Sequence, residues 1–201
     1  MTQRGMTMLD LSQYQGIVFD MDGTLIDSMS EHMLAWEQTC KHFGYPFDAE
    51  YMNGLGGVPT QATVVLLNQK HGLSHDPLQV AQAKRRFWEQ MDSAPVTIDA
   101  TIAVLEHYRT RIPVGVGTGA ERPHAEKMLR DTGLMDKIQT LVTASDVRQG
   151  KPHPETFLQV ADNLGVPAQH CVVFEDTEIG RQAAEAAGMD CIMVENGRIL
   201  L

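Results

Sequence analysis

From Pro95 onward, short apolar runs rich in β-branched residues alternate with helical patterns, and this alternation constrains the fold more than any other feature. The runs are Pro113-Val114-Gly115-Val116-Gly117-Thr118, Thr140-Leu141-Val142-Thr143-Ala144, Cys171-Val172-Val173-Phe174 and Cys191-Ile192-Met193-Val194. Asp99, Pro123 and Pro154 open helices between them, and Gly133, Gly165 and Gly188 close helices. A similar run, Gly16-Ile17-Val18-Phe19, stands near the start. Such runs read as buried strands. Their alternation with helices predicts an α/β fold, a Rossmann-like doubly wound parallel sheet with helices on both faces.

Residues 29–94 break the pattern. Met29, Met33, Trp36, Cys40 and Phe43 recur at three- and four-residue steps, giving a helix that Gly44 and Pro46 end. A glycine-rich turn covers residues 53–60. A second helix runs from Gln61 to His71, and Asp76-Pro77 opens a third, with Leu78, Ala81, Trp88 and Met91 on one face. This stretch predicts an all-helical cap domain (29–94) inserted into a core made of residues 1–28 and 95–201.

In an open parallel sheet, sites form at the carboxyl ends of the strands. Four runs end there in polar residues: Asp20 and Asp22, Thr118 and Gly119, Ser145 and Asp146, Glu175 and Asp176, with Lys151 soon after the third. Residues i and i+2 of an extended segment point the same way, so Asp20 and Asp22 can face one small volume. Two acids in one pocket repel unless a proton or cation relieves them, and Mg2+, a hard ion taking oxygen ligands, suits the task. A calcium loop is the competing reading, with Asp20, Asp22 and Glu31 at positions 1, 3 and 12. Position 6 is Leu25 where that loop needs Gly, and a strand precedes it instead of a helix. Other residues also have plain structural readings. Lys151 can be a surface lysine, while Thr118 and Asp176 can cap the helices that follow them. Gly115-x-Gly117-x-Gly119 lacks the spacing of a dinucleotide fingerprint. His71 and His75 are spaced like zinc ligands, but Gly72 and Ser74 interrupt any helix between them.

The 201 residues carry Lys+Arg 16 against Asp+Glu 26, a net charge of −10. Such a chain is expected to bind neither nucleic acid nor anionic membranes, so a phosphate must be met by local charge. Cys40, Cys171 and Cys191 form no metal-ligand or redox pattern and are expected to be reduced, in the cytoplasm. No apolar stretch is long enough to span a membrane, and the opening MTQRGMTMLDLSQYQ does not read as a signal peptide. A monomer is expected.

With these motifs in order, the chain resembles the haloacid-dehalogenase-like phosphatase superfamily. The motifs are Asp20-x-Asp22-Gly23-Thr24, the small-residue strand ending in Thr118, Gly150-Lys151-Pro152-x-Pro154, and Phe174-Glu175-Asp176 with Gly180. The resemblance covers nearly the whole chain and extends to an α-helical cap. The nearest subgroup is that of β-phosphoglucomutases and hexose-phosphate phosphatases. Gly117-Thr118-Gly119 and the Gly56-Gly57-Val58-Pro59-Thr60 loop look most like its fructose-1-phosphate phosphatase branch.

The resemblance implies a role for each residue. Asp20 would attack phosphorus and carry an aspartyl-phosphate. Asp22 would protonate the leaving alcohol and then deprotonate the hydrolytic water. Mg2+ would bind the Asp20 and Asp176 carboxylates and the Asp22 carbonyl, with Glu175 on the metal or its waters. Thr118, the Gly119 amide, Lys151 and the Met21 amide would hold the transferring oxygens. The cap loop around Gly56, Gly57 and Thr60 would close over a phosphorylated sugar.

His32 raises the alternative of a β-phosphoglucomutase, in which a cap histidine at this spacing accepts the sugar-hydroxyl proton. Against it, Thr60 stands where the mutases carry an arginine, Glu121 where they carry a lysine, and Gly23-Thr24 where they tend to Gly-Val. Too few cations are foreseen for two phosphates. A Mg2+-dependent phosphatase of a small sugar phosphate, with fructose 1-phosphate the best single substrate, is therefore expected. A non-catalytic phosphosugar-binding module is the remoter alternative, and retention of Asp20, Asp22 and Lys151 speaks against it.

Overall fold

A computed structural model describes residues 9–91 and 94–200; most of the opening segment read for a leader lies outside them. Strand β1 (Gly16–Phe19) runs into a tight turn and the short β2 (Ile26–Asp27). Four helices follow: α1 (Met29–Phe43), α2 (Ala49–Gly54), α3 (Thr60–His71) and α4 (Pro77–Glu89). The chain returns through β3 (Val96–Thr97). It then alternates α5 (Asp99–Tyr108), β4 (Val114–Gly117), α6 (Arg122–Asp131), β5 (Thr140–Val142), α7 (Glu155–Leu164), β6 (Cys171–Glu175), α8 (Glu178–Ala186) and β7 (Asp190–Glu195), and ends with β8 (Arg198–Ile199).

The main sheet has the order β5-β4-β1-β6-β7-β8, parallel except for β8. β1 is central, with Ile17 opposite Val114 and Val172 on its two neighbours. All four of its residues are buried because helices cover both faces. Ile17 and Phe19 face one core layer with Leu105 and Leu129, while Val18 faces the other with Phe157 and Ala183. The period-two alternation of a strand thus serves two cores. α7 lies very close on β4: a Cβ at Gly115 would fall 2.7 Å from Val160, and one at Gly117 3.0 Å from Phe157. These glycines of the Gly-x-Gly-x-Gly stretch make room for a helix.

The helical interval has a core of its own, built from Trp36, Cys40, Tyr45, Met52, Val64, Leu67 and Val80. β2 and β3 pair antiparallel, Ile26 with Thr97 and Asp27 with Val96, so the chain leaves and re-enters the α/β layer at one place.

Three details depart from the sequence reading. α2 occupies part of the presumed turn, because the Asp48 carboxylate accepts the Tyr51 amide and caps a short helix there. Leu78 is 51% exposed, while α4 buries Ala81 of the expected face together with Val80 and Ala83. Asp99 is the first residue inside α5, with Ile98 before it, and makes no side-chain cap.

Candidate active site

Asp20 stands just past the end of β1, its amide donating to the Phe174 carbonyl of β6 at 2.9 Å. The Lys151 ammonium donates to Asp20 at 2.6 Å and to Glu175 at 2.7 Å. Lys151 also lies 4.6 Å from the centre of the Phe157 ring. It is buried and ion-paired, which excludes the surface-lysine reading. Burial disfavours its charge, but Asp20 and Glu175 more than offset this and hold it above the usual lysine value. The second oxygen of Glu175 accepts the amide and hydroxyl of Thr177. Gly180 makes room for this carboxylate: a Cβ there would fall 1.9 Å from it.

Asp20, Glu175 and Asp176 bring carboxylate oxygens within 4.8 Å of one another. Burial raises Asp20, and Glu175 and Asp176 add to this against the opposing Lys151. Burial and the Glu175 charge push Asp176 up to about 7. One ammonium thus faces three acids, an excess of buried negative charge that a hard cation would relieve. The turn supports the same reading. Gly23 has φ +84°, and a Cβ on it would fall 2.1 Å from Asp176, so any side chain would fill this cradle. The residues present fit a divalent metal with oxygen ligands.

The Asp22 carboxylate belongs to a different cluster. The extended segment stops at Phe19, and the turn aims Asp22 toward His32 and His124, 3.3 and 3.9 Å away, while the Ser28 hydroxyl donates to it. Asp20 and Asp22 therefore line one cavity but serve separate groups of side chains, and only the carbonyl of Asp22 is left for the metal role assigned to it. Burial raises Asp22, yet the two imidazoles outweigh it and hold the carboxyl well below its usual range. An N–H donated to a carboxylate favours the ionised form even when the imidazole is neutral. His32 is itself held down by burial and by Lys84, whose ammonium lies 3.0 Å from Nδ1. Burial pushes Lys84 down to about 8. A donating Lys84 leaves the imidazole proton on Nε2, facing Asp22.

A cavity of about 290 Å3 opens above these groups. It is lined by Asp20, Asp22, His32, Gly56, Gly57, Thr60, Thr118, Gly119 and Glu175, all singled out from the sequence. Lys151 and Asp176 lie among the acids at its floor, and Met21 packs its side chain into the core, leaving only its backbone for the site. Thr118 accepts the Ala120 amide at 3.0 Å, so it does cap the turn into α6 while also lining the cavity. The cap loop closes against the core: a Cβ at Gly119 would lie 3.0 Å from the Gly57 carbonyl, and Gly56 packs on Thr177.

The third polar strand ending does not contribute. Asp146 accepts Arg122 at 2.6 Å and the Thr143 amide and hydroxyl, and Ser145 accepts the Arg122 amide. Sequence reasoning missed Lys84, Arg85, Trp88 and His124, which also line the cavity. Pro123 at the start of α6, just past a strand end, was a signal for His124; no motif marks the three residues of α4.

Comparison with known proteins follows from this arrangement. Residues 17–194 match the family model of haloacid dehalogenase-like hydrolases. The chain belongs to this family. Relatives named as phosphatases support a phosphoric monoester hydrolase. Over 182 residues the chain is 37% identical to the fructose-1-phosphate phosphatase YqaB of Escherichia coli (strain K12), covering 90% of this chain and 97% of that protein. It is 25% identical over 194 residues to the β-phosphoglucomutase of Bacillus subtilis (strain 168), covering 93% and 86% of the two chains. The fold superposes on a hydrolase from Pseudomonas syringae with TM-score 0.83 at 23% identity, over 91% of this chain and 85% of that one.

Proposed function

We propose that this protein is a Mg2+-dependent phosphatase of a small sugar phosphate, with fructose 1-phosphate the preferred candidate. The observation that carries this reading is the pairing of Asp20 with buried Lys151 at the floor of a cavity that also holds Asp22. Residues 29–94 act as the cap and residues 1–28 with 95–201 as the catalytic core. The similarity to a fructose-1-phosphate phosphatase over 90% of the chain supports the substrate. The free thiols of Cys40 and Cys171, which burial pushes up to about 11, suit a reducing cytoplasm.

Asp20 attacks phosphorus and the leaving alcohol departs, giving an aspartyl-phosphate that water then cleaves. Mg2+, held by Asp20, Asp176 and the Asp22 carbonyl with Glu175 nearby, would neutralise charge between the incoming phosphate and Asp20. Lys151 places its ammonium beside the attacking carboxylate, and Thr118, the Gly119 amide and the Met21 amide hold phosphate oxygens. Asp22 is ionised in the free protein; an arriving phosphate places negative charge beside it and raises its proton affinity. With that raised affinity Asp22 takes up a proton from solvent as the phosphate binds, delivers it to the leaving oxygen, and recovers one from the water that cleaves the aspartyl-phosphate. Closure of the Gly56-Gly57 loop excludes bulk water, which strengthens each of these interactions.

One observation favours the mutase alternative. Lys84 and Arg85 line the cavity, so the site is richer in cations than the sequence suggested. His32 also lines the same cavity, beside Asp22. Lys84 is nevertheless engaged with His32, Arg85 faces Glu121 at 4.0 Å, and Thr60 is neutral. A panel of phosphorylated sugars with Mg2+ separates the two. Phosphate release from fructose 1-phosphate, abolished in Asp20→Asn, is the expected result. Conversion of β-glucose 1-phosphate to glucose 6-phosphate with little free phosphate would make the protein a mutase.

A further inference from the structure

Asp22, His32 and His124 converge more closely than proton transfer at Asp22 requires. Both Nε2 atoms aim at the same carboxylate oxygen, at 3.3 and 3.9 Å, and all three ligand atoms lie within 4.8 Å of one another. Nε2 of His124 is buried and has no hydrogen-bond partner. Such an atom, in a residue that lines the cavity and without a bond to the protein, is free to take a ligand. We propose that these three residues form a second cation site, for a divalent metal of the imidazole-preferring class, Zn2+ foremost.

The spacing and donor chemistry both fit. Tetrahedral zinc at about 2.0–2.1 Å from nitrogen and oxygen ligands spaces them roughly 3.4 Å apart, so small side-chain shifts complete the site. Two imidazoles and one carboxylate select Zn2+, Co2+ or Ni2+ over Mg2+, whereas Asp20, Glu175 and Asp176 offer only hard oxygens. The supporting contacts are in place. Ser28 donates to Asp22, Lys84 bonds the far nitrogen of His32, and Trp88 packs edge-on against His124 at 4.2 Å. The fourth position faces the cavity, since all three ligands line it.

Binding displaces one proton. Nε2 of His32 must present its lone pair to the metal, so the ring proton moves to Nδ1 and Lys84 releases one of its own, or the proton leaves directly for solvent. Lys84 therefore opposes the metal and sets its affinity. The ligands come from α1 in the helical insert and from the β1 turn and α6 in the α/β layer, so the metal ties the two parts together. It also occupies the carboxylate assigned to proton transfer, and micromolar zinc would inhibit hydrolysis; that consequence alone rests on the proposed function.

Co2+ titrated into the protein in excess Mg2+ tests the site without substrate, so its outcome is independent of the phosphatase reading. One equivalent should bind with the intense visible absorption of tetrahedral cobalt, and Zn2+ should bleach it. His124→Phe, which keeps an aromatic ring against Trp88, should weaken binding at least tenfold, because loss of a supporting contact alone costs about 10–100-fold. Lys84→Met should tighten it. Should His124→Phe not fold, as read by near-ultraviolet circular dichroism, His32→Asn replaces it with the same expectation. Absorption that Mg2+ abolishes, or that both histidine variants leave unchanged, would overturn the proposal.

Discussion

Lys151 holds Asp20 and Glu175 with a side chain almost wholly out of water. Removing one partner of a buried ion pair strands the other charge and costs about 3–5 kcal/mol. Lys151→Met should lower unfolding free energy by that order in Mg2+-free urea titrations at pH 8, and by less at pH 5, where the stranded carboxyls take up protons. Asp176 gives a second prediction. Its carboxyl, raised to about 7, binds a proton more tightly folded than unfolded. The stability from that proton is full below about pH 4 and is lost as pH rises through about 7, a change on the order of a few kcal/mol. The Mg2+-free protein should therefore lose Tm between pH 5 and 8, Asp176→Asn should flatten the loss, and Mg2+ should restore the wild type at pH 8. Asp20, Lys151 and Glu175 were legible in the sequence because each sits in a short pattern at a strand end. Lys84 and His124 were not, because Lys84 meets His32 from another helix of the insert and His124 meets Asp22 from α6, contacts between segments far apart in the chain. No local spacing records such contacts.

At the level of elements, the strands and most helices followed from apolar runs and from glycines at helix ends. Gly44, Gly72 and Gly165 each take the left-handed conformation that closes α1, α3 and α7. The two-residue strands β2, β3 and β8 are too short to carry a period and exist through pairing alone. α2 was hidden because its capping Asp48 lies before a stretch whose glycines suggested a turn. α4 meets the turn before α6 through Arg85 and Glu121, an exposed pair at 4.0 Å. Such a pair contributes at most about 1 kcal/mol, so its loss leaves the fold intact. Arg85→Gln should shift the cap toward opening and raise KM for the sugar phosphate by roughly two- to fivefold, with Tm unchanged. A fall in kcat with KM constant would place Arg85 in the chemistry instead.

The molecule as a whole divides labour between its parts. The sheet places Asp20, Thr118 and Glu175 at adjacent strand ends, with the Asp20 and Thr118 amides bonded to the neighbouring strands. The helical insert brings His32, Lys84 and the Gly56-Gly57 loop to the same cavity, linked through the β2–β3 ladder. Among the described residues, no helix is long and apolar enough to cross a membrane. The central claim is that phosphate passes through Asp20, and the direct measurement is acid quenching during turnover of fructose 1-phosphate, followed by peptide mass spectrometry. A phosphoryl group on the peptide carrying Asp20, absent in Asp20→Asn, is the predicted result. Turnover that persists in Asp20→Asn, or phosphate trapped on another residue, would contradict it.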